Sequence, residues 1–409
     1  MLKLKEFIKE EKNTHMEHVE DLIFNEGVPG ARKAINFLRN LRDMLAGHNK
    51  SALTSTVKWD GAPAIFAGID PRDGKFFVAK KGIFNKEPKV YKTNAEIDAE
   101  LSGDLAAKFK VALKEFSKLG IKKGVYQGDL MFTDDKNTET IDDEKYVTFH
   151  PNTIVYAVPY ASALGQKIRS AKIGIVWHTT YEGDSFDSMR ATFGKTIVDK
   201  FNDVSSIWMD DANYKDYSGT ATFTADETKK VTDVLARAGT LFQSISAPTL
   251  NGICNDEDLL MAVKTFNNSK IRRMEQITDT KAHVRELFHY IHDKYQKEID
   301  KKKTPAGKSK QEETRKKILS FFAHHDQNQI VAIFDLMNEL VMAKKMIIDK
   351  MNKAGHVSTF LKTANGFKVT GVEGFVAIDH LTGGAVKIVD RMEFSHSNFS
   401  PDILKGWQR

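Results

Sequence analysis

Val57-Lys58-Trp59-Asp60-Gly61 decides how the rest of this chain is read. A lysine two residues before an acid and three before a glycine places an amine on a tight strand-to-turn corner. Free lysine has a pKa of roughly 10.4 and is a poor nucleophile near neutrality. It becomes one when burial or neighbouring cations lower that value, or when a metal-bound phosphate waits beside it. The glycine lets backbone approach a ligand closely, and the acid can orient the amine or hold a cation. A plain surface turn is the competing reading of the same residues.

Further segments extend the pattern. Phe76-Phe77-Val78-Ala79-Lys80-Lys81-Gly82 reads as an apolar strand ending in two cations and a glycine. Gly124 to Phe132 reads as a strand carrying Gly128-Asp129. Val372-Glu373-Gly374-Phe375-Val376-Ala377-Ile378 is another strand with an acid–glycine pair, and Ala385-Val386-Lys387-Ile388-Val389 holds one lysine between apolar residues. An unpaired charge inside an apolar strand is costly, so Lys387 calls for a partner, and a phosphate would be one.

In this order the segments resemble the covalent nucleotidyltransferase superfamily of polynucleotide ligases and messenger-RNA capping enzymes. The resemblance runs from 58 to 132 and resumes from 372 to 389. It implies that Lys58 is the nucleophile of a Lys-x-Asp-Gly motif with Asp60 and Gly61, and that Lys80 and Lys81 contact the nucleotide's ribose and phosphates. It implies that Asp129 and Glu373 reach the ribose or a metal, that Lys387 faces the phosphates, and that Trp177 or His178 lies near the base. The implied cofactors are ATP and Mg²⁺. The chain departs from the family in three places, the first being Ala62-Pro63, or Lys80-Lys81 further on, where arginine is frequent. Asp129 stands where glutamate is usual, and Val389 where a second lysine is common, which leaves Arg391 or Lys80 to assist Lys387. The stretch Thr14 to Asp21, with the lysine motif after it, also resembles an uncharacterised family of tailed phages.

Composition fits a globular protein. Of 409 residues, 41% are hydrophobic and 28% charged, enough chain for a large core and two or three domains. No apolar run reaches membrane-spanning length, so no membrane partner is expected. The start, Met1 to Phe7, is too charged for a secretory signal. Cys254 is the only cysteine, which excludes an internal disulfide and a cysteine-based zinc site and fits a reducing cytoplasm, the host's if the gene is a phage's. His283, His289, His292 and Asp293 lie at helical spacing, but they read as satisfied or solvated side chains rather than zinc ligands. No phosphate-binding Gly-x-x-x-x-Gly-Lys loop and no Gly-x-Ser-x-Gly elbow occurs.

The expected fold class is α+β. A ligase-type, ATP-grasp-like catalytic domain of antiparallel sheets and helices spans 51–184 and 356–409. A helical segment (1–50) packs on it, its face marked by Ala34, Ile35, Leu38, Leu41 and Leu45. A mostly helical domain is inserted over 185–355, and the family-like motifs all lie outside it. Its basic clusters, Arg272-Arg273 and Lys301 to Lys303, read either as a solvated linker or as contacts to RNA or DNA backbone. About 20 residues follow Lys387, too few for the five-stranded barrel that DNA ligases and capping enzymes carry there. The expectation is therefore an ATP-dependent polynucleotide ligase acting on RNA ahead of DNA. The alternatives are a nicked-DNA ligase, an RNA-capping guanylyltransferase, or a non-catalytic nucleic-acid-binding phage protein. The sequence leaves the oligomeric state open.

Overall fold

The computed structural model describes residues 16–47, 53–214, 222–354, 357–379 and 385–407. Residues 1–7, Thr14 and His15 lie outside the described residues. Helix α1 (Leu22–Leu45) comes first, bent at Gly27, whose φ of 60° no continuous helix allows. A Cβ on Gly27 would fall 2.2 Å from the Asn251 side chain, so glycine is required there for space as well as for conformation. The apolar positions named above turn inward along α1, and all are buried.

Strands β1 (Leu53–Lys58), β2 (Ala64–Ile69) and β3 (Phe76–Ala79) follow, then helices α2 (Asn94–Glu100) and α3 (Gly103–Phe116). Strands β4 (Val125–Phe132), β5 (Lys136–Ile141), β6 (Glu144–Phe149) and β7 (Ile154–Pro159) lead to α4 (Ala163–Ser170). Strand β8 (Ile173–Glu182) precedes β9 (Arg190–Phe193) and β10 (Ile207–Asp211). Six helices then run together: α5 (Ala225–Ser244), α6 (Ala247–Cys254), α7 (Glu257–Arg272), α8 (Thr280–Asp300), α9 (Pro305–His324) and α10 (Gln327–Met351). The chain returns to strands β11 (Ser358–Thr363), β12 (Gly366–Val369), β13 (Gly374–Asp379) and β14 (Ala385–Ile388), and α11 (Arg391–Phe399) follows.

The architecture is α+β with three sheets. A central sheet has the order β10-β8-β4-β2-β3, with β9 also on β8. A second, β12-β11-β7-β6-β5, packs on it through Phe132, Phe149, Tyr156, Val176 and Trp208. Helices α2 and α3 cover the other face of the central sheet through Phe109 and Phe116. The third sheet, β1-β13-β14, presents Phe375, Ala377, Val386 and Ile388 to the large core shared by α1 and the helical run.

Two expectations about this layout need correction. The helical stretch begins at Ala225 and not at 185, because β9 and β10 between those points pair with β8 and extend the central sheet. Ile207 and Trp208 are apolar enough to be buried at that edge. At the C-terminal side the strands stop at Ile388, where the notional strand pattern of the catalytic domain gives way to α11. Asp390 starts that helix by accepting from the N–H groups of Met392 and Glu393. No helix among the described residues is long and apolar enough to cross a membrane.

Candidate active site

Lys58 closes β1 directly opposite Gly374 of β13, so Glu373 stands beside its amine. The two form an ion pair, Lys58 Nζ to Glu373 Oε1, with the lysine side chain partly open and the glutamate nearly enclosed. Gly374 has a φ of 149°, and a Cβ there would fall 2.6 Å from Val389 and 2.9 Å from the Ile388 carbonyl. Glycine therefore lets β13 pass this close to β14 and keeps Glu373 under the lysine. Phe394 of α11 lies with its ring 5.9 Å from Lys58 Nζ. Burial pushes the Glu373 carboxyl up to about 7, against the pull of Lys58, and the nearby Asp60 and Asp129 charges add to the rise.

Lys387 pairs with Val376, two residues along β13 from Gly374. Alternation puts it on the same face of the small sheet as Lys58, away from the helical core. Burial, and then the Lys58 charge beside it, hold its ammonium below the usual lysine range. Its backbone N–H donates to the Glu17 carbonyl (2.8 Å), which pins the N-terminal segment along β14.

Asp60 is tethered to the fold on both its backbone and its carboxylate. Its carboxylate accepts from Asn152 Nδ2 (2.6 Å), Thr153 N–H (2.7 Å) and Ile154 N–H (2.9 Å). Its own N–H donates to the Tyr156 hydroxyl (2.7 Å). Asp60 thus ties the lysine corner to the β6–β7 turn, its buried carboxylate satisfied by three donors. Burial still raises its pKa in spite of those donors. Trp59 anchors the same corner by stacking on Tyr156 at 5.0 Å. Gly61 meets the demand for close approach, since a Cβ there would fall 2.6 Å from that of Asp129.

Asp129 lies on β4, partly exposed, 3.8 Å from His178 Nε2 of β8. The implied position for Trp177 is wrong, and of the two candidates only His178 is placed near the site. Trp177 faces the other side of β8 and is fully buried between Phe116 (5.4 Å) and Phe201 (5.5 Å), where no base could stack on it. Arg391 is likewise not available to assist Lys387. It donates to Asp21 Oδ1 (2.8 Å) within a buried network where Lys344 Nζ meets Glu20 Oε1 at 2.6 Å. Lys80 and Lys81 are exposed, just past Ala79, which pairs with Phe66. Ala64, two residues back along β2, pairs with Asp129, so both lysines fall at the Asp129 end of the sheet.

Asp129 and Glu373 were the implied metal ligands. Among the described residues no three His, Cys, Asp or Glu side chains converge on one point. Two carboxylates still suit magnesium, which takes one or two protein carboxylates and completes its shell with phosphate and water oxygens. A cleft behind Glu373, walled by Asp60, Thr153, Gly374, Phe394 and Asn398, encloses about 20 Å³, the room of a single water. Sequence reasoning missed Tyr156, the Asn152–Ile154 turn and Phe394. None has a motif signal, since each acts through a contact made only in the fold.

The sequence profile of a family of unknown function (DUF6267) matches residues 13–402, and the chain belongs to that family. No curated protein and no solved structure matches it.

Proposed function

We propose that this protein is an ATP-dependent polynucleotide ligase of the RNA-ligase type, built on a covalent nucleotidyltransferase fold. The observation that carries the reading is the juxtaposition of Lys58, Glu373 and Lys387 on two ends of the chain that meet in one small sheet. Those residues are the ones the family resemblance assigns to nucleophile, acid and phosphate contact.

In this reading Lys58 Nζ attacks the α-phosphorus of ATP, forming an N–P bond as the bond to the pyrophosphate oxygen breaks. The ammonium must first lose a proton, and Glu373, with a pKa near 7 and in contact with that amine, is placed to take it. Lys387 and Lys58 share one face, and Lys387 lies where it can meet phosphate charge. Magnesium, held by Asp129 with Glu373, would neutralise the triphosphate. The lysine-bound AMP then passes to a 5′-phosphate end, and a 3′-hydroxyl displaces AMP to seal the strand. Positioning and charge neutralisation dominate such transfers, which suits a site built of lysines and acids.

Intact-mass spectrometry after incubation with ATP and Mg²⁺ tests the first step. The wild-type chain gains the mass of one AMP, and Lys58→Ala gains none. An adduct that survives in Lys58→Ala sinks the assignment. Transfer from GTP instead of ATP would turn it toward RNA capping.

A further inference from the structure

We propose that the hairpin of α8 and α9 is a docking arm that grips the phosphodiester backbone of a polynucleotide without reading its bases. The proposal rests on the ligase reading for its purpose, and on separate observations for its substance. Residues 294–317 hold ten lysines and arginines against four acids, a net of +6. The formal charge of all 409 residues is also +6. The whole cationic excess of the protein therefore sits on this one stretch, and the rest of the chain is neutral.

The arm is built to display that charge. Helix α8 has 21 residues and so runs about 30 Å. Its inner face, including Val284, Leu287 and Ile291, is buried in the helical core. On α9 the first buried residue is Ile318, so the turns from 305 to 317 add nothing to the core. They rest on α8 through Arg315, which donates to Gln296. Lys297, Lys302, Lys303, Lys308, Lys310 and Lys316 are exposed and make no ion pair among the described residues.

The contrast is with the cations at the end of the preceding helix, α7. Lys270 meets Glu286 and Glu275, and Arg273 meets Glu275, so of the expected Arg272-Arg273 cluster Arg273 is already paired. On the arm, six exposed lysines within 20 residues are left to an outside partner. Like charges held together on one stretch repel, and a regular polyanion removes that repulsion while releasing its own counterions.

The test measures binding of the full chain to a single-stranded RNA and to a DNA duplex of equal length over a range of salt. One variant carries Lys→Gln at 297, 302, 303, 308, 310 and 316, and a second carries Lys→Arg at the same positions. The glutamine variant is expected to lose about four units of the log–log salt slope on RNA, from about 0.7 per contact, and about five on the duplex. Affinity at low salt falls roughly a hundredfold, while the arginine variant stays near wild type. An unchanged slope in the glutamine variant overturns the proposal, as does an equal loss in the arginine variant. So does polyglutamate that binds as tightly as RNA through the same lysines, because the partner is then an acidic protein. The tighter of the two nucleic acids identifies the substrate strand. Repeating the titration with Lys58→Ala separates the two claims. Lysine-dependent binding without any AMP adduct in wild type keeps the arm and removes the ligase, and an adduct with an unchanged slope does the reverse.

Discussion

Around Lys58, charged groups drawn from opposite ends of the chain are packed into each other's reach and largely removed from water, whereas on the α8–α9 arm consecutive residues hold their charges out into it. The corner gathers Lys58, Lys387 and Glu373, and Gly61 and Gly374 let neighbouring chain pass within 3 Å of a missing Cβ. The arm needs no such fit. Desolvated groups shift their pKa values and interact strongly over short distances, while exposed ones act through screened, additive charge. One substitution at the corner should therefore be costly and specific, and several on the arm should be mild and cumulative.

After the loss of Lys58 itself, the largest effect is expected at Glu373. Replacing it by glutamine keeps the shape and removes the proton acceptor, so adduct formation should slow by about 10² to 10⁴. The wild-type rate should also rise with pH through about 7, where Glu373 becomes a carboxylate, and the glutamine variant should lose that rise. Stability moves the other way. The folded pKa lies above the usual 4.5, so the contribution of Glu373 is full below about 4.5 and is lost as pH rises through about 7. Glu373→Gln should then be the more stable protein at pH 8 and the less active one. Stopped reactions analysed by intact mass, alongside urea unfolding, check both. A variant with wild-type rate and pH profile would break the contrast with the arm.

Next in size is the buried pair of Glu20 and Lys344, both under 4% exposed. Lys344→Met leaves a carboxylate whose remaining cation, Arg391, lies 3.7 Å away, and should cost about 3 kcal/mol of unfolding free energy. Replacing Glu20 by leucine in the same protein should restore most of it, since well-packed apolar pairs substitute for buried ion pairs. No single arm lysine should cost more than about 0.5 kcal/mol in the same urea titration. Smaller again is Lys387→Ala, which should slow adduct formation roughly ten- to a hundredfold, about what one phosphate-directed cation supplies, and leave unfolding nearly unchanged. Aggregation of that variant would mean that Lys387 is a structural group.

How much of this was legible follows the same division. The arm's charge was visible as Lys301 to Lys303, because a contiguous exposed run needs no fold to be seen. The lysine corner, Glu373 and Lys387 were legible as motifs, and alternation then put Lys58 and Lys387 on one face. The tether of Asp60 was not legible, because its partners Asn152 to Ile154 are set by how two sheets meet. Trp177 misled for a related reason. On a strand buried on both faces, aromatic character cannot say which side a ring takes, and here the helix-covered side won. The helical stretch was placed too early because β9 and β10 are short and lie at a sheet edge.

The smallest effect expected sharpens the comparison most. Lys301, Lys302 and Lys303 are exposed at the tip of the arm, and among the described residues only Lys301 has an acid in contact, Glu298 at 2.8 Å. Changing all three to glutamine should leave AMP adduct formation and the unfolding midpoint at wild-type values, because exposed pairs contribute little and no core contact is lost. Strand joining should lose about two units of salt slope on RNA, from about 0.7 for each cation removed. Adduct formation and joining measured in the same tubes at several salt concentrations give the answer. If adduct formation falls together with joining, the arm belongs to the catalytic body and the separation between desolvated corner and solvated arm fails. If the slope does not change, these three lysines are a solvated linker, and the grip, if present, begins further along α9.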